Sequence, residues 1–279
     1  MGKTAPTPTP EQIRERTVHG WLRPYLLALD GMFLNRWDYW LRTVEAGEVL
    51  AEPIPQIHWS GSGHEEPRKN LAACIDHSFH RLSRQSFSLF VEWLLFGFGA
   101  PSQKELPRQI EPDVNAFWYK TFNLGLFLKY PHDYLGEYAA GLYGKGRNNP
   151  TAYFPTPMNI CVMMAQMLFD GKDKTASVCD PCVGSGRLLL VASNYSLNLY
   201  GVDIDYNILQ VCKANMWMYV PWCVGRPQIK GLKPSAPFQH PEISTLQPIQ
   251  QTTPEVQQKL IGFGQQMELF AGAGKGEEP

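Results

Sequence analysis

The chain has 279 residues, of which 44% are hydrophobic, enough for one large or two modest domains with a core. Its 25 Lys and Arg against 26 Asp and Glu give a formal net charge of −1, which excludes a global electrostatic attraction to nucleic acid. No apolar run reaches the roughly 18 residues of a membrane-spanning helix. The six cysteines lack secretory spacing, which predicts thiols in a reducing cytoplasm.

The first half of the chain has a helical pattern. Residues 1–10 alternate Thr and Pro, a composition typical of disorder. Apolar residues then recur at threes and fours, with an interruption at Pro24, and the pattern returns in 71–98 and 113–142. Most tryptophans here are predicted to lie in the core, with stacking on a base or partner as the alternative. We therefore predict a helical domain over residues 11–150.

The stretch that organises the chain runs from Thr151 to Val220, and its centre, 177–187, reads Ser-Val-Cys-Asp-Pro-Cys-Val-Gly-Ser-Gly-Arg. It predicts a short strand, a tight turn and a helix whose first amides point at a ligand. Gly184 and Gly186 lack Cβ, so the turn can adopt positive φ and approach that ligand closely. A second predicted strand, 199–205, ends in the carboxylates of Asp203 and Asp205, roughly 20 residues after the glycines. Acidic ribose ligands occur at this spacing in nucleotide-binding βαβ units. This spacing predicts a nucleoside-like cofactor.

Asp180 distinguishes this turn from those of dinucleotide sites, because a pyrophosphate tolerates a carboxylate poorly. Asp180 therefore predicts a cationic or zwitterionic ligand. The run 180–186 resembles the Asp-Pro-x-x-Gly-x-Gly motif of amino-group DNA methyltransferases that use S-adenosylmethionine. Phe154-Pro155-Thr156-Pro157 upstream resembles a Phe-Thr-Pro segment of their adenine-modifying branch, related to the modification subunits of type I restriction systems. Residues 134–138, 200–205 and 214–216 continue the resemblance, which covers roughly residues 130–225.

The resemblance implies seven cofactor contacts: Thr156, Asp180, Pro181, Gly184, Gly186, Asp203 and Ile204. The turn that begins at Asp180 would hold the amino-acid end of S-adenosylmethionine. Asp203 would take the ribose hydroxyls, with Ile204 against the adenine. Two alternatives stay open, because Thr156 and Asp205 each precede a predicted helix that their side chains could cap.

After the second strand and its helix the pattern weakens. Residues 228–232 predict a short third strand, and the Pro- and Gln-rich stretch 233–279 predicts a flexible, disordered C-terminal tail. The predicted fold class is α/β, with the helical domain followed by a partial Rossmann-like methyltransferase domain over 151–232, with strands 1–3 only. In the family that this chain resembles the first strand is central, so here it becomes an edge. We predict that a partner chain, a second copy or the helical half covers it.

The predicted tail contains one apolar island. Gln266-Met267-Glu268-Leu269-Phe270 resembles the peptide by which bacterial replication and repair proteins bind the DNA sliding clamp. This resemblance implies partner contacts from Gln266, Met267, Leu269 and Phe270. The alternative is a short helix that folds back on the domain.

The methyltransferases that this chain resembles also use an Asn/Asp-Pro-Pro-Tyr/Phe motif, which holds the exocyclic amine and stacks on a flipped base. The sequence lacks it: Ser235-Ala236-Pro237-Phe238 comes nearest, without the Asn or Asp and the first Pro. We therefore predict no catalytic residue. The Cys179/Cys182 pair has no second pair at zinc spacing, so no metal site is predicted either.

Two functional hypotheses follow. In the first, the chain is an S-adenosylmethionine-binding DNA adenine methyltransferase-like protein of a restriction-modification system, truncated or degenerate. It would contact DNA and complete its catalytic site through another polypeptide, such as a catalytic or specificity subunit. In the second, the chain is a non-catalytic adaptor or structural protein that its clamp-binding tail recruits to DNA.

Overall fold

Helices account for most of the computed structural model, which describes residues 18–59, 62–143, 153–225, 227–232 and 238–239. Short 3₁₀ turns, Ser83–Gln85 and Pro221–Cys223, lie between longer elements. In chain order the α-helices of the described residues are α1 (Arg23–Phe33), α2 (Arg36–Ala46), α3 (Glu65–Leu82), α4 (Ser86–Phe98), α5 (Pro112–Thr121), α6 (Leu124–Lys129), α7 (Tyr134–Tyr143), α8 (Met158–Leu168), α9 (Arg187–Ala192) and α10 (Tyr206–Tyr219).

Local sequence explains where several helices begin and break. Pro24 lies in the first turn of α1, where its missing N–H has no helical partner to lose, so it starts this helix and does not interrupt one. The stretch 71–98 divides between α3 and α4 because Ser83 adopts a left-handed φ of 51°. The Asn123 side chain accepts a hydrogen bond from Gly125 N at the start of α6, which separates α5 from α6.

Aromatic side chains fill the core. Trp93 packs edge-on against Trp118, with ring centroids 5.7 Å apart, and Trp37 of α2 stacks on Trp217 of α10 at 5.5 Å. The second pair joins the helical half to the segment that follows it. The predicted core role of the tryptophans is confirmed, and none is exposed for stacking on a base. All eight are buried: Trp21, Trp37, Trp40, Trp59, Trp93, Trp118, Trp217 and Trp222.

A small parallel sheet positions the site. Its order is β1 (Ser177–Asp180), β2 (Asn198–Val202) and β3 (Phe238–Gln239), and β1 pairs with β2 so that Asp180 lies opposite Gly201. The predicted first and second strands are confirmed. The third was predicted at 228–232 and is wrong in position, because Lys230 makes only an isolated bridge to Glu48. Gly231, at φ 92°, turns the chain away, and β3 forms instead within the predicted tail.

The outer edge of β1 is open within the described part of the chain. β2 is the neighbour of β1 there, and no described strand pairs with its other side. Ser177 and Cys179 are exposed, although parallel strands are ordinarily buried on both faces. Among the described strands β1 lies at an edge, as the sequence predicts. Cover of that edge by a partner chain, a second copy or the helical half stays a prediction.

Several predictions lie outside the described residues. They are the disordered start (1–10), the domain boundary near 150, the clamp-like residues 266–270 and most of the predicted tail. None of the described helices is both long and apolar enough to cross a membrane.

Candidate functional site

A cavity of about 320 Å³ opens where β1 and β2 end. This volume lies within the roughly 300–1,000 Å³ typical of small-molecule sites. Its position beyond the carboxyl ends of two parallel strands is the usual place for ligands in α/β proteins. The cavity brings together six of the seven predicted contacts: Thr156, Asp180, Pro181, Gly184, Asp203 and Ile204. Their contacts with a cofactor stay predictions, but the structure places them around one space.

The two glycines of the turn are needed for different reasons. Both have positive φ, 53° at Gly184 and 92° at Gly186. A Cβ on Gly184 would lie 3.1 Å from the Tyr153 ring beside the cavity, whereas one on Gly186 would lie only 2.6 Å from Met216 Cε on α10. Gly186 is not among the residues of the cavity wall. Its lack of a side chain lets the turn pack on α10, a requirement that the sequence motif alone does not show.

Two carboxylates hold the turn in place, and one of them, Asp203, ties it to the end of β2. Asp203 Oδ2 accepts a hydrogen bond from Gly184 N at 2.8 Å, and its Oδ1 accepts one from Asp205 N at 2.9 Å. Asp180 Oδ1 accepts one from Cys182 N at 3.1 Å. Burial raises the pKa of Asp180; the Cys182 amide opposes this shift and the charge of Asp203 adds to it. Since each carboxylate has further lone pairs, both can still accept hydrogen bonds from a ligand.

The structure separates the two capping alternatives. The Asp205 side chain caps α10, since its Oδ1 accepts from Asn207 N at 2.9 Å and Ile208 N at 3.2 Å. It also lies on the cavity wall. Thr156 does not cap α8, whose N-cap residue is Pro157 and which has no side-chain cap. The capping interpretation is thus right for Asp205 and wrong for Thr156, which is exposed on the cavity wall.

Next to the cavity lies a buried carboxylate that the sequence analysis did not predict as part of the site. Asp133, at the start of α7, is 0% exposed. It accepts four hydrogen bonds, from Ser185 Oγ at 2.5 Å, Arg187 Nε at 2.7 Å, Asn215 Nδ2 at 2.7 Å and Gly136 N at 2.8 Å. The glycine turn, α7 and α10 therefore meet at one side chain. The available signal was its position directly before the family-like segment 134–138.

Arg187 extends this network to the other side of the cavity. Besides its ion pair with Asp133, it donates from Nη1 to the carbonyl oxygen of Thr156 at 3.1 Å. Burial lowers the pKa of Arg187, but the charge and hydrogen bond of Asp133 outweigh it, so the net pKa is raised. Arg187 also lies on the cavity wall. The sequence analysis did not single it out.

One family model matches the part of the chain that builds this site. Residues 135–220 match the family model described as N-6 DNA Methylase, a stretch that contains the glycine turn, both longer strands and α10. The match confirms the predicted resemblance over these residues and implies S-adenosylmethionine as the cofactor. No curated protein sequence matches the chain.

One solved structure shows a weak likeness. It is the crystal structure of a Listeria monocytogenes protein assigned to the class I S-adenosylmethionine-dependent methyltransferases, with a TM-score of 0.39 and 18% identity. The comparison covers 56% of this chain and 51% of that one, so the chain spans about half the length of the protein that it matches.

Proposed function

Because residues 135–220 match the N-6 DNA methylase family, we propose that this chain is the S-adenosylmethionine-binding part of an adenine-specific DNA methyltransferase. The observation that carries this proposal is the cavity where the Asp180 turn and Asp203 meet at the ends of two parallel strands. The sheet would then be part of a Rossmann-like domain, with the cofactor beyond its carboxyl edge.

The charge of the cavity supports this choice of ligand. Asp180, Asp203 and Asp205 all lie on its wall, which disfavours the phosphates of a dinucleotide. S-adenosylmethionine instead carries a sulfonium and an ammonium group, and either is attracted by a nearby carboxylate. Asp203 directly follows β2 and is anchored by the Gly184 amide, so its position is suited to accept the ribose hydroxyls.

Replacement of Asp203 by alanine is expected to weaken S-adenosylmethionine binding by about 30-fold or more, since two hydroxyl donors lose a charged acceptor. Isothermal titration calorimetry on the wild-type and Asp203→Ala chains measures this directly. Asp205→Asn is the matched control, because asparagine preserves the cap on α10 while it removes a neighbouring charge from the wall. It should bind within a few-fold of wild type.

Undiminished binding by Asp203→Ala would contradict the ribose role. Failure of the wild-type chain to bind S-adenosylmethionine would remove the cofactor proposal and leave the adaptor hypothesis. The residues on which that hypothesis depends, 266–270, lie outside the described part of the chain.

We further propose that residues outside these 279 complete the catalytic site. The amine-binding Asn/Asp-Pro-Pro-Tyr/Phe motif does not occur in the sequence. No described strand pairs with the outer edge of β1, which leads into the cofactor turn, and this edge is a suitable place for a strand from a catalytic or specificity subunit. Contact with DNA would then depend on that subunit, which agrees with the balanced charge of this chain.

The isolated chain is therefore expected to transfer no methyl group to unmethylated DNA above the blank. The measurement is incorporation of label from methyl-tritiated S-adenosylmethionine, with an active adenine-specific methyltransferase as the positive control in the same buffer. Turnover by the isolated chain would show that it holds catalytic residues that the sequence motif does not reveal.

A further inference from the structure

The charged groups of the cavity are unequal in number. Its wall contains three carboxylates, those of Asp180, Asp203 and Asp205, and among the described residues that line it Arg187 is the sole lysine or arginine. S-adenosylmethionine carries two positive groups and one negative group, its α-carboxylate. The positive groups have several acidic neighbours available. Among the described residues of this wall, Arg187 is the one cation available to the α-carboxylate.

The Arg187 guanidinium is held in place before any ligand binds. Its Nε donates to Asp133 at 2.7 Å and its Nη1 donates to the Thr156 carbonyl at 3.1 Å, while its side chain is only 11% exposed. Nη2 donates to none of the described residues. A guanidinium has five N–H donors in a rigid plane. The side chain is therefore fixed on one edge and retains donors for a ligand on another.

The ion pair with Asp133 explains why the Arg187 guanidinium is stable in a half-buried cavity without a ligand. An arginine without a counter-ion would be costly there, and the buried carboxylate of Asp133 balances its charge. The ion pair with Asp133 leaves other N–H donors of the Arg187 guanidinium for a ligand. A charged donor in a site of low dielectric constant forms a short, strong hydrogen bond with a carboxylate.

We propose that Arg187 binds the α-carboxylate of S-adenosylmethionine. This inference rests on the proposed function, because it names the group that holds one end of the same cofactor. Asp133 acts through Arg187 as a positioning residue. The hydrogen bond from Arg187 to the Thr156 carbonyl places the segment before α8 beside that end of the ligand.

A structural role of Arg187 alone would also weaken binding after mutation, so the decisive comparison is between ligands. Decarboxylated S-adenosylmethionine retains the adenosine, the sulfonium and the amine and lacks only the carboxylate. The wild-type chain is expected to bind it about tenfold or more weakly than S-adenosylmethionine, because a charge-assisted hydrogen bond is lost. Isothermal titration calorimetry of both ligands measures this ratio.

Arg187→Gln should bind the two ligands with equal affinity, since it cannot form the charged pair. Arg187→Lys, which keeps the charge without the planar fork, should retain a reduced preference. Thermal unfolding of each variant checks that it is folded. If Arg187→Gln does not fold, the ratios for the wild-type and Arg187→Lys chains decide the question.

Equal binding of the two ligands by the wild-type chain would overturn this inference and leave the proposed function intact. An undiminished preference in Arg187→Gln, or in Arg187→Lys if the glutamine variant is unfolded, would overturn it as well. If the wild-type chain binds neither ligand, nor 5′-methylthioadenosine, the proposed function itself fails. 5′-Methylthioadenosine lacks the whole amino-acid end, so it distinguishes failure of the Arg187 inference from failure of the proposed function.

Discussion

Replacement of Asp133 by alanine is expected to lower the free energy of unfolding by roughly 3–5 kcal/mol. The carboxylate is fully buried and accepts four hydrogen bonds, so its loss leaves the Arg187 guanidinium in the interior without a counter-ion. Urea denaturation followed by tryptophan fluorescence measures the change, because the eight buried tryptophans report loss of the core.

Two single variants serve as milder controls, and a double variant tests the ion pair. Ser185→Ala removes one of the four donors and should cost about 2 kcal/mol, less than the loss of the carboxylate itself. Asp170→Ala removes a carboxylate that is 66% exposed and should change stability by less than roughly 0.5 kcal/mol. The double variant Asp133→Ala/Arg187→Met should be less destabilised than the sum of its single changes, because the uncompensated charge is gone. Strict additivity would contradict the ion-pair explanation.

Replacement of Arg36 by methionine is expected to lower the free energy of unfolding by about 3 kcal/mol or more. Arg36 is fully buried at the start of α2, and burial lowers its pKa to about 9, so it remains charged at neutral pH. Its guanidinium also lies 5.0 Å from the Trp222 ring centroid. It donates to four acceptors that would become unsatisfied: Pro55 O, Ser193 Oγ, Asn194 Oδ1 and Tyr219 O.

Arg42→Met is the matched control on the same helix. Arg42 pairs with Asp38 and Glu52 on the surface, and ion pairs of this kind contribute little. Its replacement should leave the denaturation midpoint nearly unchanged, whereas Arg36→Met should shift it strongly with the same slope. Equal shifts would show that Arg36 does not join α2 to the three segments that contain its acceptors, as its hydrogen bonds indicate.

The glycine turn and its flanking strands are determined by local sequence. The short β-prone segment before Asp180 predicts β1, the two glycines predict the positive φ values, and Asp205 predicts the cap on α10. These features depend on residues a few positions apart, so a sequence pattern can show them. Six of the seven predicted contacts share one cavity although Thr156, Asp180 and Asp203 lie in separate segments, and this grouping was predicted from the family resemblance.

The third strand shows the limit of local information. Residues 228–232 have a strand-like composition, but a strand forms only where its backbone finds a partner. Gly231 turns that stretch away, and β2 pairs instead with Phe238 and Gln239, which lie beyond a Pro-containing stretch. Two residues are too short a pattern to single out a strand from sequence.

The sequence by itself determined the helical first half, the strand–turn–strand unit and the kind of cofactor that the turn favours. Only the tertiary structure decided that Asp133 lies under that turn, that Arg187 joins it to Thr156, and that Gly186 is required by α10. Asp133 is 54 positions from Arg187 and 82 from Asn215. Contacts at such separations depend on how whole helices pack, and no periodicity or motif within one segment contains that information.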